Sequence, residues 1–229
     1  VAGLSWGARL MPVKVLVNGS GYDSDVAAGV IWAVEHGARI VNLSLGGTDL
    51  DQTLQDAVIY AYNQGALVIA AAGNCAQGGS YCGGQTNPVF YPAAYPNVIA
   101  VAATDSNDAT AGFSEYGYFV DLAAPGVSVY STYRYGYYGP MSGTSMATPH
   151  VAGLAALIWS ANPGYSNAQV TYILTATTDQ VGAYPYSGGR NDHYGAGRIN
   201  AANAVTKAVP ALTTSPQSLY ALADDALLP

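Results

Sequence analysis

Short apolar runs alternate with segments of helical period along most of the chain. The runs 10–17 (LMPVKVLV), 40–45 (IVNLSL), 67–72 (LVIAAA), 98–103 (VIAVAA) and 119–123 (FVDLA) read as strands. Residues 23–36 and 52–64 carry the period of amphipathic helices between the first three of them. Strands separated by single helices imply parallel βαβ units with both sheet faces covered, an α/β fold. A tyrosine-rich ribbon at 128–138 (SVYSTYRYGYY) predicts a hairpin. From Ser145 to about Ser160 a helix with few polar residues should be buried nearly all round. Two more helices follow: Ser166 and Gln169 have capping-box spacing for the first, and Asn200 can cap AANAVTKAV. After Val209 the periodicity dissolves, so 1–209 reads as one domain and 210–229 as a linker or the start of an extension.

In open parallel sheets ligands bind beyond the carboxyl ends of strands. Those positions here are Gly19-Ser20-Gly21, Ser44-Leu45-Gly46, Gly73-Asn74 and the start of the long helix. The segment Gly143-Thr144-Ser145-Met146-Ala147-Thr148-Pro149-His150 places a serine at a helix N-terminus, where unpaired amides carry partial positive charge. A hydroxyl there is an ordinary helix cap or a nucleophile lying beside ready-made donors for an oxyanion. Likewise, an Asn after Gly at a strand end is a left-handed turn residue or an amide donor.

The string GTSMATPHVAG resembles the nucleophile motif of the subtilases, the subtilisin-like serine proteases. The resemblance extends from about Gly7 to Val209 through VKVL, NLSLGG, AAAGN, YPAAYPNVIAVAATD and AAPG in order, and is nearest in flavour to the thermitase-like branch. It implies a three-layer fold with a mostly parallel central sheet between helices, lacking its N-terminal strands. It further implies Ser145 as nucleophile, Asn74 as oxyanion donor with the backbone N–H of Ser145, and Thr144 as support behind them. Ser20-Gly21-Tyr22 and Ser44-Leu45-Gly46 resemble the two extended segments that sandwich a substrate backbone as an added strand. Ala71, Ala72 and Gly73 resemble the other wall of the main specificity pocket. No charge lies among these segments, so an apolar or aromatic P1 residue is expected. Ala93, Tyr95, Val98 and Asp121 resemble a weak cation site of oxygen ligands, suited to a structural calcium ion, with a solvated turn as the plain alternative. No cofactor is expected for the chemistry.

A serine protease of this type also needs a histidine base and an orienting aspartate, in chain order Asp, His, Ser. Both are expected upstream of Val1, so these residues alone should hydrolyse little. His36 reads as a solvated helix end, His150 as a satisfied core histidine, and His193 beside Asp192 as a loop residue remote from Ser145. Three other function classes bear on the sequence. A non-catalytic peptide-binding module would use the same groove without needing Ser145. A lipase or esterase would need a G-x-S-x-G elbow, and Gly143-Thr144-Ser145-Met146-Ala147 lacks the second glycine. A dinucleotide-binding domain would need G-x-G-x-x-G, which Gly19-Ser20-Gly21 does not supply.

Composition narrows the partners. The 229 residues are 50% hydrophobic and only 9% charged, with a formal charge of −7. An acidic surface without a Lys/Arg cluster argues against nucleic acid, and no apolar run reaches the length of a membrane span. Protein or peptide substrates and a monomeric state are expected. Cys75 and Cys82 lie in one short stretch, NCAQGGSYCGG, which suits a disulfide, although two free thiols are the alternative. Zinc lacks a second Cys/His pair nearby. With the family resemblance, the paired cysteines imply a secreted protein.

Overall fold

The structure is a computed structural model that describes residues 3–79 and 82–209. Four strands, β1 (Ile40–Leu43), β2 (Leu67–Ala71), β3 (Val98–Thr104) and β4 (Leu122–Pro125), form a sheet in the order β1-β2-β3-β4. All neighbouring pairs are parallel, with Val41 opposite Val68, Ile69 opposite Ile99 and Val101 opposite Leu122. Parallel strands need crossovers, and α2 (Gln52–Asn63) supplies the one from β1 to β2. Asp51 caps it by accepting the N–H of Leu54 at 2.8 Å.

Every residue of β2 and β3 is buried, as expected for strands covered on both faces. Alternation divides them between two cores. Val68 and Ala70 of β2 with Val98, Ala100 and Ala102 of β3 meet α1 (Asp23–Glu35) and α2 through Val26, Val30, Leu54 and Val58. Leu67, Ile69, Ile99, Val101 and Ala103 face the other way, onto Val151, Leu154 and Ile158 of α3 (Thr144–Ala161) and onto α4 (Asn167–Ala176) and α5 (Ala201–Ala208). The result is the expected three-layer α/β sandwich. The alanines at 100, 102, 103, 123 and 124 keep the layers close, so α3 lies directly over the sheet.

The expected capping box is formed: Ser166 accepts the N–H of Gln169, whose side chain takes the N–H of Ser166 at 2.8 Å. Asn200 likewise accepts the N–H of Asn203 at 3.0 Å. The tyrosine-rich ribbon is an antiparallel hairpin of β5 (Val129–Thr132) and β6 (Tyr138–Met141), reaching three residues further than expected. Among the described residues no helix is long and apolar enough to cross a membrane. The tail 210–229 lies outside the described residues.

Three readings are corrected. Residues 10–17 form no strand; their one bridge joins Val17 to Ser20, and Leu10 and Val17 are exposed. Pro12 has no N–H for a ladder, and Val13 and Val15 lean on Gly29 of α1 instead. The strand expected at 119–123 begins at Leu122, because the Gly117–Val120 turn comes first. His150 is half-buried rather than in the core; its Nδ1 lies 2.9 Å from the carbonyl of Met146, one turn back on α3.

Candidate functional site

The carboxyl ends of β1 and β2 converge on the first turn of α3. Gly143 is the N-cap of this helix and supplies no side-chain cap. The first N–H groups of a helix have no partner within it. That of Thr144 is taken by the Asn74 Oδ1 at 2.8 Å, and the Thr144 hydroxyl donates to the same oxygen at 3.0 Å. Because a backbone N–H can only donate, the amide oxygen of Asn74 must face Thr144 and its Nδ2 end is turned the other way. Thr144 is fully buried, and its Oγ1 also accepts the N–H of Gly73 at 3.2 Å. One hydroxyl therefore ties the end of β2, the Asn74 side chain and the start of α3 together.

Ser145 is the second residue of α3 and half-buried. Its Oγ donates to the carbonyl of Ser44 at 3.3 Å, and the Ser44 Oγ donates back to the carbonyl of Ser145 at 2.9 Å. The sequence explains why that carbonyl is open. Its helical partner would be the N–H four residues on, but that residue is Pro149, which has none. The Ser44 hydroxyl takes the place of the missing donor and is itself held by Asn42 Nδ2 at 3.0 Å. Ser44 is thus a structural clasp on Ser145; the proline four positions after the serine was the signal in the sequence.

The other residues expected to contact a substrate fall as follows. Gly46 runs so close to Tyr91 and Phe90 that a Cβ there would overlap both, and Gly47 pairs with Tyr91. Ala71, Ala72 and Gly73 are buried behind Asn74. Ser20, Gly21 and Tyr22 are exposed; their backbone bonds run to Val17 and into the first turn of α1. The structure thus joins 44–46, 71–74 and 143–145 in one place, and 20–22 form an exposed turn leading into α1.

Cys75 and Cys82 are joined by a disulfide, with an S–S distance of 2.01 Å and Cα atoms 5.8 Å apart. Directly behind the same turn sits a residue that the sequence reading passed over. Glu115 is fully buried, and its Oε1 accepts the N–H of Cys75 at 3.0 Å. Burial pushes its carboxyl up to about 7, only partly opposed by that hydrogen bond.

The three histidines make contacts of other kinds. His36 ends α1 and stacks on Trp32 with centroids 4.0 Å apart. His193 is sandwiched between Tyr184 at 3.6 Å and Tyr116 at 4.3 Å, and burial lowers its pKa. His150 Nδ1 lies 2.9 Å from the carbonyl of Met146.

Around the start of β3, Ala93 and Tyr95 are buried, and the Tyr95 hydroxyl is exchanged with the backbone of Asp51. Asp121 accepts the N–H of Ala100 at 2.8 Å, and burial raises its carboxyl to about 6. Among the described residues no group of three or more His, Cys, Asp or Glu is arranged to hold a metal ion.

The three-layer sandwich with a serine at a helix start and an Asn at the neighbouring strand end is the architecture of subtilisin-like proteases. The model of the subtilase family matches residues 1–197, and the chain belongs to that family. It is 45% identical over 206 residues to thermitase of Thermoactinomyces vulgaris, covering 90% of this chain and 68% of that protein. It is also 45% identical over 207 residues to a thermophilic serine proteinase of Bacillus sp. (strain AK1), 90% of this chain but 47% of that protein. Among solved structures, one described as proteases from Pseudoalteromonas arctica PAMC 21717 superposes with a TM-score of 0.77 at 34% identity, over 90% of this chain and 65% of that one. The chain therefore spans about half to two thirds of the length of these relatives.

Proposed function

We propose that this chain is the nucleophile-bearing part of a serine endopeptidase that works through an acyl-enzyme on Ser145. The observation that carries the reading is the double grip of Thr144 on Asn74 Oδ1, at 2.8 and 3.0 Å. It presents the Asn74 amide beside the first turn of α3, where the N–H of Ser145 has no helical partner. A peptide carbonyl placed between the two meets two preorganised donors and the positive end of a helix dipole.

In the reaction the Ser145 Oγ bonds to the carbonyl carbon while its proton passes to a general base. The C=O electrons move onto oxygen, where Asn74 Nδ2–H and Ser145 N–H hold the charge. Collapse of the tetrahedral intermediate expels the amine, which takes the proton, and water repeats the sequence on the ester. No hydrogen bond joins His36, His150 or His193 to Ser145, so none of the three is assigned as the base, which in this family precedes the serine in chain order together with its aspartate. Without them the chain retains at best the residual ~10³–10⁴-fold advantage over water known from subtilisin, a member of this family. Exchange of the paired Ser44–Ser145 bonds for substrate contacts frees the hydroxyl for attack. Residues 44–46 then hold the substrate backbone on one side, 20–22 lie on the other, and 71–73 form the pocket wall. A structural calcium ion, if held by the carbonyls of Ala93, Tyr95 and Val98 with Asp121, suits this all-oxygen donor set; it supports the fold and takes no part in the chemistry.

The test is labelling of the complete protein that contains this chain with a fluorophosphonate, followed by peptide mapping and hydrolysis assays. The label should sit on Ser145, and Ser145→Ala should abolish both labelling and hydrolysis. Label on another residue, or hydrolysis surviving in Ser145→Ala, refutes the assignment. Peptide binding without hydrolysis in the unaltered protein would instead indicate a non-catalytic groove.

A further inference from the structure

Among the described residues Glu115 is the only acidic or basic side chain that is completely buried. Burying an ionisable group without an opposite charge costs several kcal/mol, so its position calls for a physical reason. No charged partner contributes to its environment: the influences on its carboxyl are desolvation and the N–H of Cys75. Its Oε2 is buried and has no hydrogen-bond partner.

What Glu115 does is visible in the backbone around Asn74. Its own N–H donates to the carbonyl of Gly73 at 3.0 Å, and its Oε1 accepts the N–H of Cys75 at 3.0 Å. The residues on both sides of Asn74 are thus held by one amino acid. The fit is close, since a Cβ on Gly73 would overlap the carboxyl, and Gly73 has a φ of 114° that disfavours any side chain. Glu115 is in turn anchored to the sheet. The Oγ of its neighbour Ser114 accepts the N–H of Ala103 in β3 at 2.9 Å and donates to the Glu115 carbonyl at 3.3 Å. Further along, Ala76 N–H bonds Phe113 O at 3.1 Å, while Asn87 joins Cys75 O through its N–H and Tyr116 through its side chain. The 73–76 turn is therefore clamped along its length by 113–116, with the carboxyl of Glu115 at the centre.

We propose that Glu115 is a positioning residue for the oxyanion donor: by bracketing Asn74 it fixes the height of that side chain against Thr144 and Ser145. This rests on the reading of Asn74 as the donor. Glu115 touches no reacting atom and acts through the turn. Preorganised donors lose much of their effect when displaced by about 1 Å, which can cost ~10²-fold. Removal of one clamp should therefore lower kcat while leaving ground-state binding in the groove almost untouched.

The experiment compares steady-state kinetics of the complete protein with its Glu115→Ala, Glu115→Gln, Glu115→Asp, Asn74→Ala and Asn74→Ala/Glu115→Ala variants. Glu115→Ala should lower kcat at least ~10-fold with KM changed less than ~2-fold. Glu115→Gln should recover most of the loss, because its amide oxygen can still accept the Cys75 N–H. In the Asn74→Ala background Glu115→Ala should cost less than ~2-fold, since the donor it positions is gone. If Glu115→Ala does not fold, Glu115→Asp carries the test: it keeps the carboxyl but withdraws it from Cys75, and kcat should fall. An unchanged kcat, a loss carried by KM, or an equal loss in the Asn74→Ala background overturns the proposal. If instead Asn74→Ala leaves kcat intact, it is the oxyanion assignment that fails.

Discussion

The buried carboxyl of Glu115 predicts a specific change of stability with pH. In the unfolded chain a glutamate titrates near its ordinary value of 4.5, whereas in the fold burial raises it to about 7. Between those values the folded state holds the proton and the unfolded state has released it. The folded state therefore binds more protons, and stability must fall as pH rises across that window. At about 1.4 kcal/mol per pH unit the shift corresponds to about 3 kcal/mol, present in full below pH 4.5 and lost by about pH 7. Glu115→Gln removes the titration and keeps an acceptor for Cys75. Its extra buried N–H donors carry a penalty, but one independent of pH. The difference in unfolding free energy, variant minus parent, should therefore rise by about 3 kcal/mol from pH 4.5 to pH 7.5, whatever its absolute value. Urea unfolding of both forms in a Ser145→Ala background, which prevents autolysis, measures it. A difference that stays constant within about 0.5 kcal/mol, a typical limit for independent sites, would refute the premise that Glu115 is desolvated when the protein is folded.

Four other outcomes follow from the site. Asn74→Ala should lower kcat ~10²–10³-fold with KM little changed, the magnitude known for an oxyanion donor in this family, as read by initial rates on a chromogenic peptide. Ser44→Ala leaves the carbonyl that Pro149 cannot satisfy without its hydroxyl donor; it should destabilise by about 1 kcal/mol in thermal unfolding, and more for any share of that carbonyl closed to water. Opening the Cys75–Cys82 loop with a double serine substitution should lower stability by about 2.5 kcal/mol from loop entropy and raise KM, because the loop continues the 71–73 segment proposed as the pocket wall; no change in either measurement refutes a role for the loop. In a peptide library, cleavage should prefer apolar or aromatic P1 residues, and a preference for Lys or Arg refutes that reading of the pocket segments.

The parts that could be read from the sequence are those decided by local pattern. The alternation of Leu67 and Ile69 with Val68 and Ala70 fixes which face of β2 meets which helix layer, and the two cores divide along it. Ser166 and Asn200 cap helices because their partners lie three residues away in the chain. The reading failed at 10–17, whose apolar content matches that of a buried strand. Hydrophobic pattern specifies a face, but a strand also needs a neighbour, and a segment with Pro12 as its third residue has fewer donors to offer one. Ser145, Asn74 and the supporting Thr144 were singled out through the family motif alone; nothing local in the chain says that Thr144 bonds Asn74 across 70 residues.

Glu115 shows the sharper limit. In the chain it is one acid in a polar-looking FSEYG stretch, and such residues are nearly always solvated. It is buried because the turn 113–116 crosses behind Asn74, and that crossing is set by the Ser114 bond to β3 and the Cys75 turn, both tertiary. Yet an indirect signal existed. Gly73 follows two alanines and precedes Asn74; its φ of 114° disfavours any side chain, and the carboxyl of Glu115 separately leaves no room for a Cβ on that side. A glycine beside a proposed oxyanion donor thus marks where another chain segment approaches, and the rare charged residue in a chain with so few is the natural candidate for what approaches it. If the clamp acts as argued, Gly73→Ala should resemble Glu115→Ala in its kinetics, because it displaces the same carboxyl from the other side; a Gly73→Ala protein that folds and keeps full kcat would separate the glycine from the clamp.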